Sequence, residues 1–294
     1  MRLLLTFLII VLLSDVAKAQ TYTFTGNGRY SQSSNWKDNI KPPSPIPNGS
    51  QIIIKPSAGD SCVLDMAQNI GPGAAFIVSE GVRFIIAGEG IIITALPNVT
   101  ICDQVWMKNN LSVATYRNGD IIPEVKDPFL WELQTTGAWC WFNNDVKNAD
   151  RGRLYNGYAI TDPRGLAPYG WHIASDSEWT QMVKCIDPLT NTTCTGCHQS
   201  ETAGGALKEA GIAHWQEANV GATNSSGFTA IPASWRSANG MFVLHDLAQS
   251  AYFWTASSLD ASELFYRTID HQGTHISRNS TIKKVAYSVR CVKN

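Results

Sequence analysis

The chain opens with a long, mostly apolar run and then changes to short apolar runs separated by glycine and proline. The opening run, Leu3–Leu13, follows Arg2 and precedes the small residues of Ala17-Lys18-Ala19, which is the pattern of a cleavable export signal. It is shorter than the roughly 20 residues that a transmembrane helix needs. We therefore predict a signal peptide over residues 1–19 and no transmembrane segment in the mature chain. An exported protein would be periplasmic, on the cell surface or extracellular.

From residue 20 to residue 97 the apolar runs have the length of strands, and none has helical spacing. Each is rich in β-branched residues and bounded by turn residues. The runs are Gln51–Ile54, Cys62–Leu64, Ala75–Val78, Arg83–Ile86 and Ile91–Ile93. This pattern predicts a small all-β module, either solenoid-like or sandwich-like. The short intervals between runs favour the solenoid, in which stacked turns bury one another's apolar faces.

Beyond residue 98 the pattern is mixed. Ser175-Asp176-Ser177-Glu178 is a capping box, and Trp179, Met182, Val183 and Ile186 follow it at helical spacing. Long polar, glycine-rich stretches with isolated aromatic residues follow this helix and indicate ordered loops. The alternating run Tyr287–Val292 predicts a closing strand. Residues 98–294 therefore have the pattern of an α+β domain.

Composition narrows the range of functions. The chain is 44% hydrophobic and 16% charged, which is too apolar for a disordered tail and too weakly charged for a coiled coil. Its formal charge of −1 provides no basic surface for a phosphate backbone, so we expect no nucleic-acid partner. Of the ten tryptophans, all but Trp36 lie from Trp106 onward, which indicates that the two parts of the chain are built differently.

The seven cysteines have two interpretations. In an oxidising compartment they favour disulfides, and an odd number leaves one cysteine free or bonded to another molecule. Cys185, Cys194 and Cys197 with His198 have the appearance of a zinc site. Zinc thiolates are uncommon outside the cytosol, so a disulfide that closes this polar loop is the favoured interpretation.

Ordered motifs over the C-terminal two thirds resemble a known family. They are Ile101–Met107, Leu133–Asp145, Tyr155–Ala159, Ala167–Trp179, Gly221–Phe228, Trp254–Ser258 and Ser288–Val292. This part of the chain resembles the Fibrobacter succinogenes major paralogous domain family, which is common in secreted proteins of Bacteroidetes and their relatives.

The resemblance implies a C-type-lectin-like fold, so the expected architecture is an α+β C-type-lectin-like domain preceded by the small all-β module. In such domains a cysteine often precedes the proline that stands here as Pro168, but this chain has Ala167. The resemblance then implies that Cys291 pairs with Cys102 or Cys140, or stays free. The disulfide candidates are Cys102, Cys140, Cys291, Cys185, Cys194 and Cys197.

Calcium-dependent lectins hold the ion with Glu-Pro-Asn, Gln-Pro-Asp or Trp-Asn-Asp motifs, and none occurs here. A bound calcium ion is therefore an alternative that no motif in the sequence indicates.

The histidines form no recognisable catalytic or metal-binding motif. Neither His-Glu-x-x-His nor Gly-x-Ser-x-Gly occurs in the chain. His271 and His275 would share one face of a helix as a zinc pair, but the intervening Gln272-Gly273-Thr274 indicates a turn between strands. His172, which lies just before the predicted helix, is interpreted as a hydrogen-bonded structural residue. We therefore predict no metal ligands.

Loop carboxylates offer a route to polysaccharide hydrolysis. That reaction needs two carboxyl groups about 5–10 Å apart. Asp260, Glu263 and Asp270 are available, but their spacing does not single them out. We predict a non-enzymatic protein with no catalytic residues and no resident cofactor.

A binding role is better supported by the residue types. Sugar sites combine flat aromatic rings with amide, carboxylate and guanidinium groups that bind hydroxyls. The candidates for ligand contact are Trp235, Arg236, Asn239, Trp254, Tyr266, Arg267, Arg278 and Asn279, and His245 and Tyr252 supply the same chemistry. In the alternative interpretation Trp254 and Tyr266 belong to the core, while the arginines bond backbone carbonyls.

The leading hypothesis is an exported binding or adhesion protein that recognises a glycan or a cell-surface protein through the loops of its lectin-like domain. One alternative is a structural or assembly protein of the bacterial envelope, whose β-module adds to another sheet edge. The other is a polysaccharide hydrolase that uses loop carboxylates.

Overall fold

The structure is a computed structural model of the 294-residue chain. It describes residues 20–44, 46–47, 49–66, 68–71, 74–79, 82–86, 91–93, 96–118, 120–168, 170–243 and 246–294. The predicted signal peptide, residues 1–19, lies outside the described residues. The fold is mixed, with several sheets and few, short helices. No helix in the described ranges is long and apolar enough to cross a membrane.

The described part of residues 20–97, the N-terminal module, contains eight short strands. They are β1 (Thr21–Phe24), β2 (Gly28–Arg29), β3 (Gln51–Ile54), β4 (Ser61–Leu64), β5 (Gln68–Ile70), β6 (Ala75–Val78), β7 (Arg83–Ile86) and β8 (Ile91–Ile93). The five predicted apolar runs are therefore strands β3, β4, β6, β7 and β8. Two short 3-10 helices, Ser33–Asn35 and Lys37–Asn39, lie between β2 and β3.

Successive turns of this module stack on one another. Its strands form three parallel sheets in the orders β1-β3-β6, β2-β4-β7 and β5-β8. In the first sheet Thr21 pairs with Gln51, and Gln51 pairs with Ala75. Parallel pairing of equivalent strands from one turn to the next is the arrangement of a β-solenoid, the favoured alternative.

Aromatic residues fill one region of the solenoid interior. Trp36 is 2% exposed, and its ring meets those of Phe24 and Tyr30 edge-to-face, with centroids 5.4 and 4.7 Å away. The Trp36 indole Nε1 donates to the Tyr30 carbonyl at 2.8 Å, so its polar atom is satisfied inside the core.

The described part of residues 98–294, the C-terminal part, contains eleven strands and four helices. They are β9 (Asn98–Ile101), β10 (Gln104–Met107), α1 (Pro128–Glu132), β11 (Trp139–Cys140), β12 (Leu154–Asn156), α2 (Gly157–Ile160), β13 (Trp171–Ile173), α3 (Asp176–Ile186), β14 (Cys197–Ser200), α4 (Ala203–Leu207), β15 (Ser250–Ser258), β16 (Glu263–Asp270), β17 (Ile276–Ile282), β18 (Ala286–Val289) and β19 (Cys291–Lys293). Two more 3-10 helices are Phe142–Asn144 and Val146–Arg151.

These strands form two sheets. A seven-stranded sheet has the order β11-β12-β18-β15-β16-β17-β14, and a four-stranded sheet has the order β13-β19-β10-β9. The pairing is antiparallel except between β15 and β18. The predicted closing strand is divided between both sheets, because the chain passes from one to the other at Arg290. The buried guanidinium of Arg290 donates to the carbonyls of Met107, Phe228 and Thr229.

Helix α3 has the predicted start and the predicted buried face. The Ser175 hydroxyl accepts from the Glu178 amide, and the Glu178 carboxylate accepts from the Ser175 amide, which completes the capping box. Trp179, Met182 and Val183 are fully buried. The Trp179 ring lies 5.4 Å from that of Phe253, so α3 covers one face of the seven-stranded sheet.

Two disulfides are present. Cys102 pairs with Cys185, which ties the turn between β9 and β10 to α3. Cys194, in the loop before β14, pairs with Cys197, the first residue of that strand. The zinc-like cluster of Cys185, Cys194 and Cys197 is thus wrong as a metal site, since all three sulfurs are in disulfides.

The remaining cysteines are free and buried. They are Cys62, Cys140 and Cys291. Of the alternatives for Cys291, the structure has the free thiol, because Cys102 is bonded to Cys185 and Cys140 is itself free. Burial raises the pKa of the Cys140 and Cys291 thiols to about 12, so both are protonated at neutral pH.

Candidate functional site

One face of the seven-stranded sheet brings together several of the predicted binding residues. Residues directly opposite each other on antiparallel strands point to the same side of a sheet. Thr268 on β16 lies opposite both Tyr252 on β15 and Ser277 on β17. Tyr266 on β16 lies opposite Asn279 on β17. These five side chains therefore form two adjacent rows on the side of the sheet away from α3.

Aromatic rings are grouped at the β15 and β18 end of these rows. The Tyr252 and Tyr287 rings are stacked with centroids 5.1 Å apart, and the Tyr266 ring lies 4.7 Å from that of Tyr287. The Trp235 ring lies 6.1 Å from that of Tyr252. Trp235, Tyr252 and Tyr266 are partly exposed, so each presents some ring surface to solvent.

Trp254 lies directly opposite Tyr266, in the same row and on the same side of the sheet. It is 0% exposed, and its indole Nε1 donates to the Tyr155 carbonyl at 2.8 Å. It is a core residue in this structure, as the alternative interpretation had it. We therefore leave Trp254 out of the surface defined next.

We define the open face by its partly exposed residues, which are Trp235, Tyr252, Tyr266, Thr268, Ser277 and Asn279. The side chains of Thr268, Ser277 and Asn279 have no hydrogen-bond partner in the part of the chain that the structure describes. The three unbonded polar groups beside three aromatic rings are consistent with a surface that binds a hydroxyl-rich ligand.

The six residues that define the open face carry no charge at neutral pH, and the Asp246 carboxylate lies beside them, hydrogen-bonded to Tyr252. Burial raises the pKa of Tyr252, and the carboxylate of Asp246, to which it is hydrogen-bonded, raises it further. Burial also raises the pKa of Tyr266. Both phenols are therefore protonated and can donate or accept hydrogen bonds. No lysine, arginine, aspartate or glutamate belongs to the open face as defined.

Arg236 positions the tryptophan at the border of the open face. Its guanidinium donates to the carbonyls of Val125, Lys126 and Gly240, and it is 0% exposed. The backbone of Arg236 also pairs with Ala286, next to Tyr287. Arg236 is thus buried among backbone acceptors, and it holds the neighbouring Trp235 against the sheet rather than presenting a charge to solvent.

The other two predicted arginines lie on the opposite side of the sheet. Arg267 is 0% exposed and donates to the Asp176 carboxylate at 2.8 Å. Arg278 also binds Asp176, at 2.8 Å from both carboxylate oxygens, and its guanidinium lies 4.2 Å from the centre of the Phe265 ring. These two arginines anchor the start of α3, away from the open face.

Asn239 belongs neither to the open face nor to the group of arginines around Asp176. It is exposed in the loop beside α1, and its Oδ1 accepts from the Met241 amide at 3.2 Å. His245, which supplies the same chemistry, lies outside the described residues. The structure thus brings together Trp235, Tyr266 and Asn279 of the predicted set, with Tyr252.

Sequence reasoning missed Thr268, Ser277 and Tyr287. A signal was present in the alternation of Tyr266-x-Thr268 and Ser277-x-Asn279, because residues two apart on a strand share a face. The missing information was which strands are neighbours.

The remaining histidines and loop carboxylates make local contacts. His271 and His275 lie in the turn between β16 and β17, as predicted, and His275 binds Asp270 at 2.8 Å. His172 bonds Glu178 at 2.7 Å and Asn294 at 2.8 Å, consistent with a structural role. Over the described ranges, no group of three or more His, Cys, Asp or Glu side chains is placed to hold a metal ion.

A model of a known protein family matches most of the C-terminal part. The match covers residues 99–293, more than half of the chain, and the family is described as the Fibrobacter succinogenes major domain. The chain belongs to this family. The predicted resemblance is confirmed, and the open face and both disulfides lie within the Fibrobacter succinogenes major domain. No curated protein and no solved structure matches the chain.

Proposed function

We propose that this protein is an exported, non-enzymatic binding protein whose open face recognises a neutral glycan. One observation carries the proposal: Thr268, Ser277 and Asn279, polar groups without partners in the described structure, lie beside partly exposed aromatic rings on a sheet face whose six defining residues carry no charge. Aromatic rings stack on the C–H surfaces of sugars, while hydroxyl and amide groups bind sugar hydroxyls.

The dimensions of the open face suit more than one sugar ring. Neighbouring strands are about 4.8 Å apart, so the row from Tyr252 through Thr268 to Ser277 extends over roughly 10 Å. The second row, Tyr266 and Asn279, runs beside it. A linear glycan could lie across the strands, with the rings of Trp235 and Tyr252 at one end and hydroxyl groups at the other.

We infer a C-type-lectin-like plan for the Fibrobacter succinogenes major domain of this chain. Support comes from the capped helix α3, which packs against the seven-stranded sheet, and from the long ordered loops between α4 and β15. These loops are held by buried cations. The Lys208 ammonium, for example, donates to the carbonyls of Val220, Asp270 and Gly273, and burial lowers its pKa to about 8. In this proposal the solenoid serves to space the domain from its attachment point or to dock it.

The proposal of a non-enzymatic role rests on the loop carboxylates. Asp260 Oδ1 accepts from the amides of Ser262 and Glu263, and Asp270 Oδ1 accepts from the amides of Gln272 and Gly273. Both carboxylates thus stabilise turns. If the protein releases no reducing ends from any polysaccharide that it binds, this part of the proposal stands. Release that one carboxylate-to-amide change abolishes would favour the hydrolase alternative.

Export is supported by the predicted signal peptide and by the two disulfides, which form in oxidising compartments. A glycan of the cell surface or its surroundings is then the accessible partner. Fractionation of the native host, with detection of the protein by antibody, would test this. Recovery in the cytosol with free thiols at Cys102 and Cys185 would contradict it.

Two asparagines provide a matched test of the open face. Asn279→Ala removes an unbonded amide from the open face, whereas Asn239→Ala removes an exposed amide from the loop beside α1. In affinity gel electrophoresis with polysaccharide in the gel, we expect Asn279→Ala to lose retardation and Asn239→Ala to keep it. Equal retardation of both folded variants would place the glycan site elsewhere.

A further inference from the structure

A second concave site lies between the N-terminal module and the C-terminal part. It is a cleft of about 240 Å³ whose lining includes Gln51 from the module and Tyr116, Arg117, Trp171 and Lys293 from the C-terminal part. The two parts are bonded to each other at its edge, where the Thr115 hydroxyl donates to the Gly49 carbonyl at 3.2 Å. The cleft is therefore a consequence of how the solenoid sits on the domain.

The side-chain oxygen of Gln51, which lines this cleft, is a hydrogen-bond acceptor without a partner. The residue is 4% exposed, and its Nε2 donates to the Arg117 carbonyl at 2.8 Å. This bond fixes the orientation of the amide, because the opposite orientation would place two oxygens together. The Gln51 Oε1 is buried and has no hydrogen-bond partner. A buried acceptor of this kind calls for a donor from a bound molecule or an ordered water.

The charge of the cleft is one-sided. Its described lining includes two cationic residues, Arg117 and Lys293, and no aspartate or glutamate. Lys293 is exposed and forms no ion pair or side-chain hydrogen bond with any described residue. Arg117 is fixed in place, since its Nε donates to the Ala167 carbonyl and its Nη2 to the Trp171 carbonyl.

The nearby Asp120 and Asp162 carboxylates share a single arginine and lie outside the described lining of the cleft. Arg164 lies over the Tyr116 ring and pairs with Asp120 and Asp162, at 3.0 and 2.8 Å. An anion in the cleft would therefore meet the positive charges of Arg117 and Lys293 without a competing carboxylate in the lining.

We propose that this cleft binds a small hydroxylated carboxylate, the chemical class that includes sugar acids. The carboxylate would lie against Lys293 and Arg117, and a hydroxyl would donate to Gln51 Oε1. The rings of Tyr116 and Trp171 supply apolar surface for the carbon skeleton. A volume of about 240 Å³ is below the range usual for drug-sized ligands, so the ligand is the size of a single sugar.

This site is distinct from the open face in chemistry and in place. The residues of the open face carry no charge and lie on several strands, whereas the lining of the cleft includes two cationic residues and is partly built by the solenoid. A ligand in the cleft would also contact both parts of the chain, so its binding would strengthen their association.

Calorimetric titration tests the proposal with four probes: D-glucuronate, D-galacturonate, D-gluconate and L-lactate. D-glucose is the uncharged control. We expect saturable binding of at least one probe, and no binding of glucose. Lys293→Gln should weaken that binding about threefold to tenfold, and 0.5 M salt should weaken it too, because an exposed cation contributes through a screened charge. Gln51→Met should abolish it.

Lys184→Gln is the matched control. It removes an exposed lysine from α3, outside the cleft lining, and should bind the probe as the wild type does. Absence of binding by all four probes to the folded protein would overturn the proposal. So would equal affinity of wild type and Lys293→Gln. Since Lys293 is exposed, its variant stays informative even if Gln51→Met fails to fold. Variants of the open face should leave this binding unchanged, which separates failure of the cleft proposal from failure of the glycan proposal.

Discussion

The rings of Tyr252 and Tyr287 are stacked, with centroids 5.1 Å apart and planes 9° from parallel. Their strands, β15 and β18, are the one parallel pair in the seven-stranded sheet, as far as the described strands go. Stacking on Tyr287 fixes the position of the Tyr252 ring, and Tyr252 stays partly exposed at the open face. The aromatic end of the proposed glycan site is therefore rigid before a ligand binds, which reduces the entropy cost of binding.

Trp235 should contribute directly to glycan affinity. Trp235→Ala removes a partly exposed ring at the border of the open face, and aromatic contacts contribute about 1 kcal/mol beyond burial. We expect about a tenfold loss of affinity, measured by titration with the glycan. The melting temperature of the variant should fall by a few degrees at most.

Trp141→Ala is the control for that experiment. Trp141 is also partly exposed, but it lies under the Arg153 guanidinium, 4.5 Å from its ring centre, and not on the open face. Its loss should change glycan affinity less than twofold. An equal loss of affinity in both variants would indicate a general effect on folding rather than a ligand contact.

Arg236 should be a stability residue rather than a ligand residue. Arg236→Met leaves the buried carbonyls of Val125, Lys126 and Gly240 without their donor, and each such loss costs about 1–3 kcal/mol. We expect urea unfolding to report a loss of about 3 kcal/mol or more, with glycan affinity retained in the folded fraction. Arg29→Met, which removes a largely exposed arginine, should change stability by less than about 0.5 kcal/mol. A fully stable Arg236→Met variant that has lost the glycan would contradict this assignment.

Asp176 should make stability depend on acid pH. Burial raises the pKa of Asp176, but the hydrogen bonds and charges of Arg278 and Arg267 outweigh burial and lower the pKa below its usual 3.8. The Asp176 carboxyl therefore stays ionised in the folded state at pH values where it takes up a proton in the unfolded state. This contribution is complete above about pH 4 and is lost as the pH falls through the lower folded pKa.

Urea unfolding at pH 6 and pH 3 measures this effect. Wild type should lose more stability between the two values than Asp176→Asn, in which the titrating group is absent. Asp103→Asn is the control, since Asp103 is exposed and accepts one bond from Gln181 at 3.0 Å. If Asp176→Asn and wild type lose the same amount, the pairing with the two arginines is not what sets acid stability.

The two disulfides should differ in their contribution to stability. Cys102 and Cys185 are 83 residues apart, and a loop of that size corresponds to about 4.5 kcal/mol in the chain-entropy account. Cys194 and Cys197 are 3 residues apart, which corresponds to about 2 kcal/mol. Paired serine variants compared by urea unfolding should follow this order. The reverse order would show that loop size does not govern the stabilisation.

Local patterns in the sequence were sufficient for much of the fold. The short β-branched runs are the strands of the solenoid, and the capping box with its apolar stripe is α3. These predictions succeed because neighbours in sequence determine them. Family membership was also predicted correctly, from motifs spread over residues 101–292.

The candidate site depended on contacts that the local pattern does not contain. Tyr266 and Arg267 are adjacent in sequence, yet Tyr266 lies on the open face and Arg267 is buried against Asp176 on the other side. Alternation predicts that they point to opposite sides but not which side is covered by α3. Likewise, Cys102 and Cys185 meet only because β10 and α3 pack together.

The most direct test of the central claim is a glycan and polysaccharide array probed with wild-type protein and with Tyr266→Ala/Asn279→Ala, in calcium and in chelator. Our account predicts saturable binding of wild type to neutral glycans, loss of that binding in the double variant, and no loss in Trp141→Ala. Equal signal in both buffers would indicate that no calcium ion bridges the sugar. A folded double variant that binds as wild type does, or a folded wild type that binds nothing, would contradict the claim that the open face is a glycan site.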